Sequence, residues 1–172
     1  MPMPKSPTIM DDPALTVNDR NKLNQLHPIV ADKIARLIIQ ARKEKLNVGI
    51  FNALRSFDAQ KTEYAKGRDD AGRIIDKEAV VTYSRPGYSL HQYGLACDIV
   101  FKTINSQWTW DDRYNWKRLG EIGESFGLTW GGRWTTPKDL PHFQYSKGIA
   151  TVEVALALYN KSGLPAVWKL VV

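Results

Sequence analysis

Two imidazoles and two carboxylates stand in two short runs of the chain. His91 and Asp98 lie in the run Ser89, Leu90, His91, Gln92, Tyr93, Gly94, Leu95, Ala96, Cys97, Asp98, and Asp139 and His142 bracket Leu140 and Pro141. Catalytic zinc sites take three protein ligands, with imidazole nitrogen and carboxylate oxygen both suitable donors, and leave a fourth position for water. Two histidines and one aspartate fill that number, and the second aspartate remains to act as a base. The chemistry this set suits is metal-assisted hydrolysis of a peptide bond.

Local elements must bring these groups together. In a strand, Asp98 shares a face with Ala96 and Val100, while Cys97 points the other way with Leu95 and Ile99. Asp98 is therefore a candidate ligand, and Cys97 reads as a small buried filler. Gly94 permits the bend that returns His91 over that strand. Leu140 is pushed to extended geometry by Pro141, so a strand begins at His142, with His142 and Gln144 facing the site and Phe143 and Tyr145 the core. Asp139 has an odd offset from His142 and joins the site only if the chain bends at Leu140 and Pro141. Ser89 has no nucleophile elbow around it. His27, between Leu26 and Pro28, reads as a helix-boundary residue. Arg55, at a strand end, and Gln60, one helical turn into the following helix, read on their own as a surface pair.

Around these runs, short helices are predicted over residues 18–26 and 28–46, the second from Val30, Ile34, Leu37, Ile38 and Ala41 at the spacing of one helical face. A strand over 48–54 follows, then a helix capped by Ser56 and ending near Gly67. Residues 68–88 read as a long loop over the site. Further strands are predicted at 95–101, 128–130 and 142–145, and helices at 111–126 and 151–160. Helices mixed with short strands, without regular β-α-β alternation, give an α+β domain with a small, mainly antiparallel sheet and flanking helices. Residues 1–14, with four prolines, read as an irregular arm, and 15–172 as a single domain.

Lys and Arg number 24 against 18 Asp and Glu, a formal charge of +6 that favours polyanionic surfaces, cell wall among them. Cys97 is the sole cysteine, which excludes an intramolecular disulfide. No run approaches the ~18 apolar residues of a membrane span, so stable membrane insertion is not expected. Trp108, Trp110, Trp116, Trp130 and Trp134 read as core or cleft walls. They form no aromatic and basic stripe on a strand pair, which argues against nucleic acid as a partner.

The runs 89–98 and 139–142 resemble those of the D-Ala-D-Ala metallopeptidase superfamily, the LAS or VanY-like zinc peptidases, over residues 23–145. The turn Trp130, Gly131, Gly132, Arg133, Trp134 and the run 139–144 look most like the L-alanyl-D-glutamate endopeptidases of phage endolysins. The resemblance implies a D-Ala-D-Ala peptidase/hedgehog-like fold and Zn2+ held by His91, Asp98 and His142. It implies Asp139 as general base, where many members carry the longer glutamate, and Arg55 as the arginine that steadies charge on the substrate carbonyl. Ser89 and Gln60 fall at substrate-binding positions. The implied activity is cleavage of the L-Ala to D-Glu bond of peptidoglycan stem peptides by a monomer. The alternatives are a D,D-carboxypeptidase or D,D-dipeptidase acting on terminal D-Ala, and a non-catalytic wall-binding module. Residues 1–15 have prolines and acids where a signal peptide has its apolar segment. The corresponding expectation is synthesis in a host cytoplasm and release to the cell wall through a holin-like partner.

Overall fold

The computed structural model describes residues 8–172. The first half of the expected arm, 1–7, lies outside the described residues. The rest is docked rather than free: a 3-10 turn at Ile9–Asp11 packs on the core, and Arg20 donates to the carbonyls of Met10 and Asp12 at 2.8 and 3.0 Å.

After α1 (Val17–Leu23), α2 (Pro28–Lys43) buries the predicted stripe of Val30, Ile34, Leu37, Ile38 and Ala41. His27 caps it, its Nδ1 accepting from the Ile29 N–H at 3.2 Å. The helix stops short of residue 46 because Lys45 turns left-handed at φ 63°, and the Leu46 N–H folds back to the Ala41 carbonyl at 2.9 Å. That closure usually calls on glycine; a lysine performs it here, so the sequence carries no stop signal.

β1 (Val48–Asn52), β2 (Ala96–Lys102), β3 (Trp108–Thr109), β4 (Thr129–Trp130) and β5 (His142–Gln144) form one antiparallel sheet. Its order is β1-β2-β5-β4, with β3 also on β2. Cys97, Ile99 and Phe143 are fully buried in the core with α2, and α4 (Trp116–Ser125) packs against α2. α4 starts five residues later than its apolar spacing predicts. Asp111 spends its carboxylate on the Arg113 N–H in a tight turn, and Asn115 provides the actual cap by accepting from the Arg118 N–H at 3.1 Å.

Ser56 caps α3 (Phe57–Ala65) as expected, at 3.1 Å from the Ala59 N–H. Residues 68–88 form no named helix or strand. Beyond the sheet lie α5 (Val152–Ser162), capped by Thr151, and α6 (Leu164–Trp168), which no periodicity announces. Trp168 ties α6 down by donating to the Tyr93 carbonyl at 2.8 Å and standing edge-on to His27. Among the described residues, no helix is long and apolar enough to cross a membrane.

One buried ion pair links α1, α2 and β1. Asp19, 1% exposed, accepts from Arg42 at 2.7 Å, from the Thr16 hydroxyl at 2.7 Å and backbone at 2.9 Å, and from the Ile50 N–H at 3.4 Å. Burial pushes its carboxyl up, but the Thr16 hydrogen bonds and Arg42 outweigh this and hold it below the ordinary aspartate value. Removing one partner of such a pair strands the other, so Asp19→Ala lowers stability in urea unfolding by about 3–5 kcal/mol. A depressed folded value means the stabilisation is complete above the unfolded pKa of ~3.9 and is lost as pH falls through the folded one. The stability gap between wild type and Asp19→Asn is therefore constant near neutrality and narrows in acid.

Candidate active site

A 3-10 turn, Leu90–Tyr93, ends at Gly94 with φ 64°, where a Cβ would stand 3.0 Å from the Gln25 carbonyl oxygen. This left-handed exit folds His91 back over β2. The β2–β5 register then sets Asp98 opposite His142. His91 Nε2 lies 3.2 Å from Asp98 Oδ1 and 3.3 Å from His142 Nδ1, and His142 Nδ1 lies 3.4 Å from the same carboxylate oxygen.

The outer edges of the two rings fix what the inner edges offer. His91 Nδ1 donates to the Ala53 carbonyl at 2.8 Å, and His142 Nε2 donates to Gln144 Oε1 at 3.0 Å. In the neutral rings, Nε2 of His91 and Nδ1 of His142 are then bare lone pairs. Two lone pairs and a carboxylate oxygen converge with no proton of their own, an arrangement only a cation stabilises. Tetrahedral ligands at ~2.0–2.1 Å from zinc stand ~3.3 Å from one another, and the three edges here match that spacing. The donor set fits a zinc ion.

The electrostatics agree. Burial pushes the Asp98 carboxyl up, yet the two neighbouring imidazoles hold it well below the usual carboxylate range. Burial pushes His142 down, yet its contact with Asp98 and the charges of Asp98 and Asp139 raise it. Both shifts describe a place that attracts positive charge. Asp139 behaves oppositely: burial and the Asp98 charge raise its carboxyl above the ordinary value, against the pull of His142, His91 and Arg55. A raised carboxylate is suited to taking up a proton.

Asp139 reaches the cleft by the bend expected at Leu140 and Pro141. Its N–H donates to the Gly131 carbonyl at 3.1 Å, while Trp130 Nε1 holds the Leu140 carbonyl at 2.8 Å. Gly131 is required, since a Cβ there would stand 2.5 Å from the Asp139 carbonyl oxygen. Asp139, His91, Asp98, His142, Arg55 and Ser89 all line one cleft of about 580 Å3. Arg55 presents Nη2 3.6 Å from Asp98 Oδ2, and its backbone N–H donates to the His91 carbonyl at 3.1 Å. Ser89 makes no capping hydrogen bond with its side chain.

Gln60 departs from expectation. It is neither a surface residue nor a substrate contact but is fully buried, outside the cleft lining. Its Oε1 accepts from Arg55 Nη1 at 3.0 Å and its Nε2 donates to the Ser84 carbonyl at 2.7 Å, so its polar atoms are already committed. Gln60 therefore braces Arg55 against the 68–88 loop, whose Val81, Thr82, Ser84 and Tyr88 wall the cleft. Cys97 lies in the core, its thiol pushed well up by burial.

One participant, Asn52, carries no signal in the sequence, and Trp134 lines the cleft as its reading as a core or cleft wall predicts. Asn52 donates to Asp98 Oδ2 at 3.3 Å, a contact set by the β1–β2 register. Trp134 packs its ring 5.1 Å from that of His142. Alternation with His142 puts Gln144 on the site face, and the structure adds its role as the hydrogen-bond partner of that ring.

The sequence profile of a family described as D-alanyl-D-alanine carboxypeptidase matches residues 82–145. The peptidoglycan L-alanyl-D-glutamate endopeptidase CwlK of Bacillus subtilis (strain 168) is 35% identical over 129 residues, covering 70% of this chain and 74% of that protein. Among solved structures, the Serratia marcescens L-Ala D-Glu endopeptidase ChiX is similar with a TM-score of 0.54 at 24% identity, over 76% of this chain and 87% of that one. The LD-carboxypeptidase LdcB gives 0.53 at 22% identity, over 86% and 70%. The two structural likenesses are of fold.

Replacing Gln60 by leucine leaves the Ser84 carbonyl and one arm of Arg55 without their partner. Stranding buried polar groups costs about 1–3 kcal/mol. Gln60→Leu is expected to lose that much in urea unfolding, and a variant as stable as wild type contradicts the bracing role.

Proposed function

The chain belongs to the D-alanyl-D-alanine carboxypeptidase, VanY-like family of metallopeptidases, and on that premise we propose that it is a zinc-dependent endopeptidase cutting the L-alanyl-D-glutamate bond of peptidoglycan stem peptides. The observation that carries the proposal is the convergence of His91, Asp98 and His142 at zinc-ligand spacing, beside Asp139 and Arg55, in a chain 35% identical to an L-alanyl-D-glutamate endopeptidase.

In this reading His91 Nε2, His142 Nδ1 and Asp98 Oδ1 hold the ion, and the Ala53 carbonyl, Gln144 and Asn52 orient them. Bound there, zinc supplies a Lewis acid that lowers the pKa of water toward ~7 and polarises the peptide carbonyl. Asp139 takes one proton from the attacking water as its oxygen bonds to the carbonyl carbon. Arg55 faces the oxygen on which negative charge builds; one well-placed donor of this kind is worth about 3–4 kcal/mol. As the C–N bond breaks, Asp139 passes the proton to the leaving nitrogen. The products are a free D-glutamate amine and a new L-alanine carboxyl group, which keeps the second proton of the water until it ionises to solvent. Ser89, in the cleft wall, is the candidate substrate contact.

The biological role we read from the same features is that of a phage-type lysin, made in a host cytoplasm and reaching the wall through a holin-like partner. Its support is the run of residues 130–134 and 139–144, with the formal charge of +6 suited to an anionic wall. Expression with a pore-forming holin should lyse cells and expression alone should not; lysis without the pore former speaks against that route.

Mass spectrometry of purified muropeptides after digestion identifies the bond. New L-alanine carboxyl ends support the proposal, whereas release of D-alanine alone selects a carboxypeptidase. Asp139→Ala is expected to keep zinc stoichiometry and lose hydrolysis by at least ~100-fold. His142→Ala is expected to weaken zinc by more than ~100-fold, since loss of an outer partner alone costs 10–100-fold. Retained wall lysis in Asp139→Ala would point to a binding module instead.

A further inference from the structure

One wall of the cleft is aromatic, and the metal chemistry does not use it. β1 carries a bulge: Ile50 pairs with Ile99 and Asn52 with Asp98, leaving Phe51 as the extra residue. Bulges re-aim side chains, and Phe51 lines the cleft beside Asp98. There it meets Trp110 at 5.0 Å and Trp108 at 5.5 Å, both edge to face. Lys102 Nζ sits 4.4 Å from the Trp108 ring centre, so that ring already has a cationic partner. Trp110 lines the cleft and keeps 51% of its surface exposed. A large indole pinned at one edge and open to water on the cleft side is an apolar surface awaiting a ligand.

We infer that Phe51 and Trp110 form a subsite for the amino-sugar ring that precedes the stem peptide. This rests on the endopeptidase reading. L-Alanine spans ~3.5 Å, and the lactyl bridge joining it to the sugar spans about as much again. A cut directly after L-alanine therefore brings the ring within about 7 Å of the reacting carbonyl, inside this same cleft. A pyranose presents an apolar C–H face with hydroxyls at its edges, and a half-exposed indole, apolar on its face and wet at its rim, matches it. The opposite wall follows β5, across β2 from β1; its one aromatic ring among the described lining residues, Trp134, is half-buried and already engaged by His142 at 5.1 Å, and the lining beyond β5 includes Ser146, Ala150 and Thr151. The sugar belongs on the β1 side and the remaining stem peptide on the β5 side. A cut at the distal D-alanine would leave the sugar several residues away from this wall.

The test uses two substrates with one stem peptide, the first carrying the disaccharide and the second an acetyl group in its place. Trp110→Ala is expected to lower the ratio of kcat/KM, first over second, about tenfold, the effect of losing one stacked aromatic contact. Trp110→Phe restores most of that ratio, and Trp110→Gln, which keeps bulk without a ring, behaves as Trp110→Ala. A ratio within about twofold of wild type in Trp110→Ala overturns the subsite, whether activity on both substrates falls or on neither. The endopeptidase reading fails separately, in the wild-type products, if mass spectra show D-alanine released and the L-alanyl-D-glutamate bond intact.

Discussion

Nε2 of His91, Nδ1 of His142 and Oδ1 of Asp98 are held 3.2–3.4 Å apart, and the cleft is organised around that crowding. Electron-rich atoms do not gather in a buried place unprompted, because each has surrendered water and none can donate to the others. A cation reverses the sign of the balance. The fold's task is to hold the three atoms together before the cation arrives.

Strand register does most of this holding. Asp98 is flanked by His142 on β5 and Asn52 on β1, so one central strand carries the carboxylate while its neighbours supply an imidazole and an orienting amide. The remaining imidazole comes from outside the sheet, yet its outer nitrogen is anchored to the carbonyl of Ala53, one residue beyond β1. The opposite face of the sheet is closed by α2 and its fully buried aliphatic stripe. A core that packs tightly behind the strands fixes the register, because a slip by one residue would send Asp98 into the aliphatic core and Cys97 into the cleft.

How much of this was legible depended on whether the cause was local. Alternation separates Asp98 from Cys97, and His142 from Phe143, from sequence alone. Apolar spacing finds α2, and a serine oxygen finds the start of α3. The failures are places where a distant or unconventional partner decided the outcome. Lys45 ends α2 in a conformation glycine usually supplies. Asn115 caps α4 while Asp111, the more obvious start, is consumed by its own turn. α6 is short and held by a tryptophan hydrogen bond to Tyr93, seventy-five residues away in sequence. Gln60 carries the clearest lesson: its spacing from Arg55 was visible, but whether the pair faced water or the interior depended on the 68–88 loop folding over it.

Asp139 shows how a sequence-distant contact can tune chemistry. In the role proposed for it, Asp139 is a short carboxylate, one methylene less than glutamate, so its backbone must come near the reacting centre. Gly131 is what lets it. The Asp139 carbonyl oxygen occupies the space a Cβ at 131 would take, and the Trp130 indole pins the next residue's carbonyl. Closer approach also buries the carboxyl and sets it against the Asp98 charge, and both raise its proton affinity. For the base role proposed for Asp139, the glycine-tryptophan turn thus couples reach and basicity through a single backbone contact. A side chain at 131 would push the Asp139 backbone away, so the position of this short carboxylate depends on the glycine.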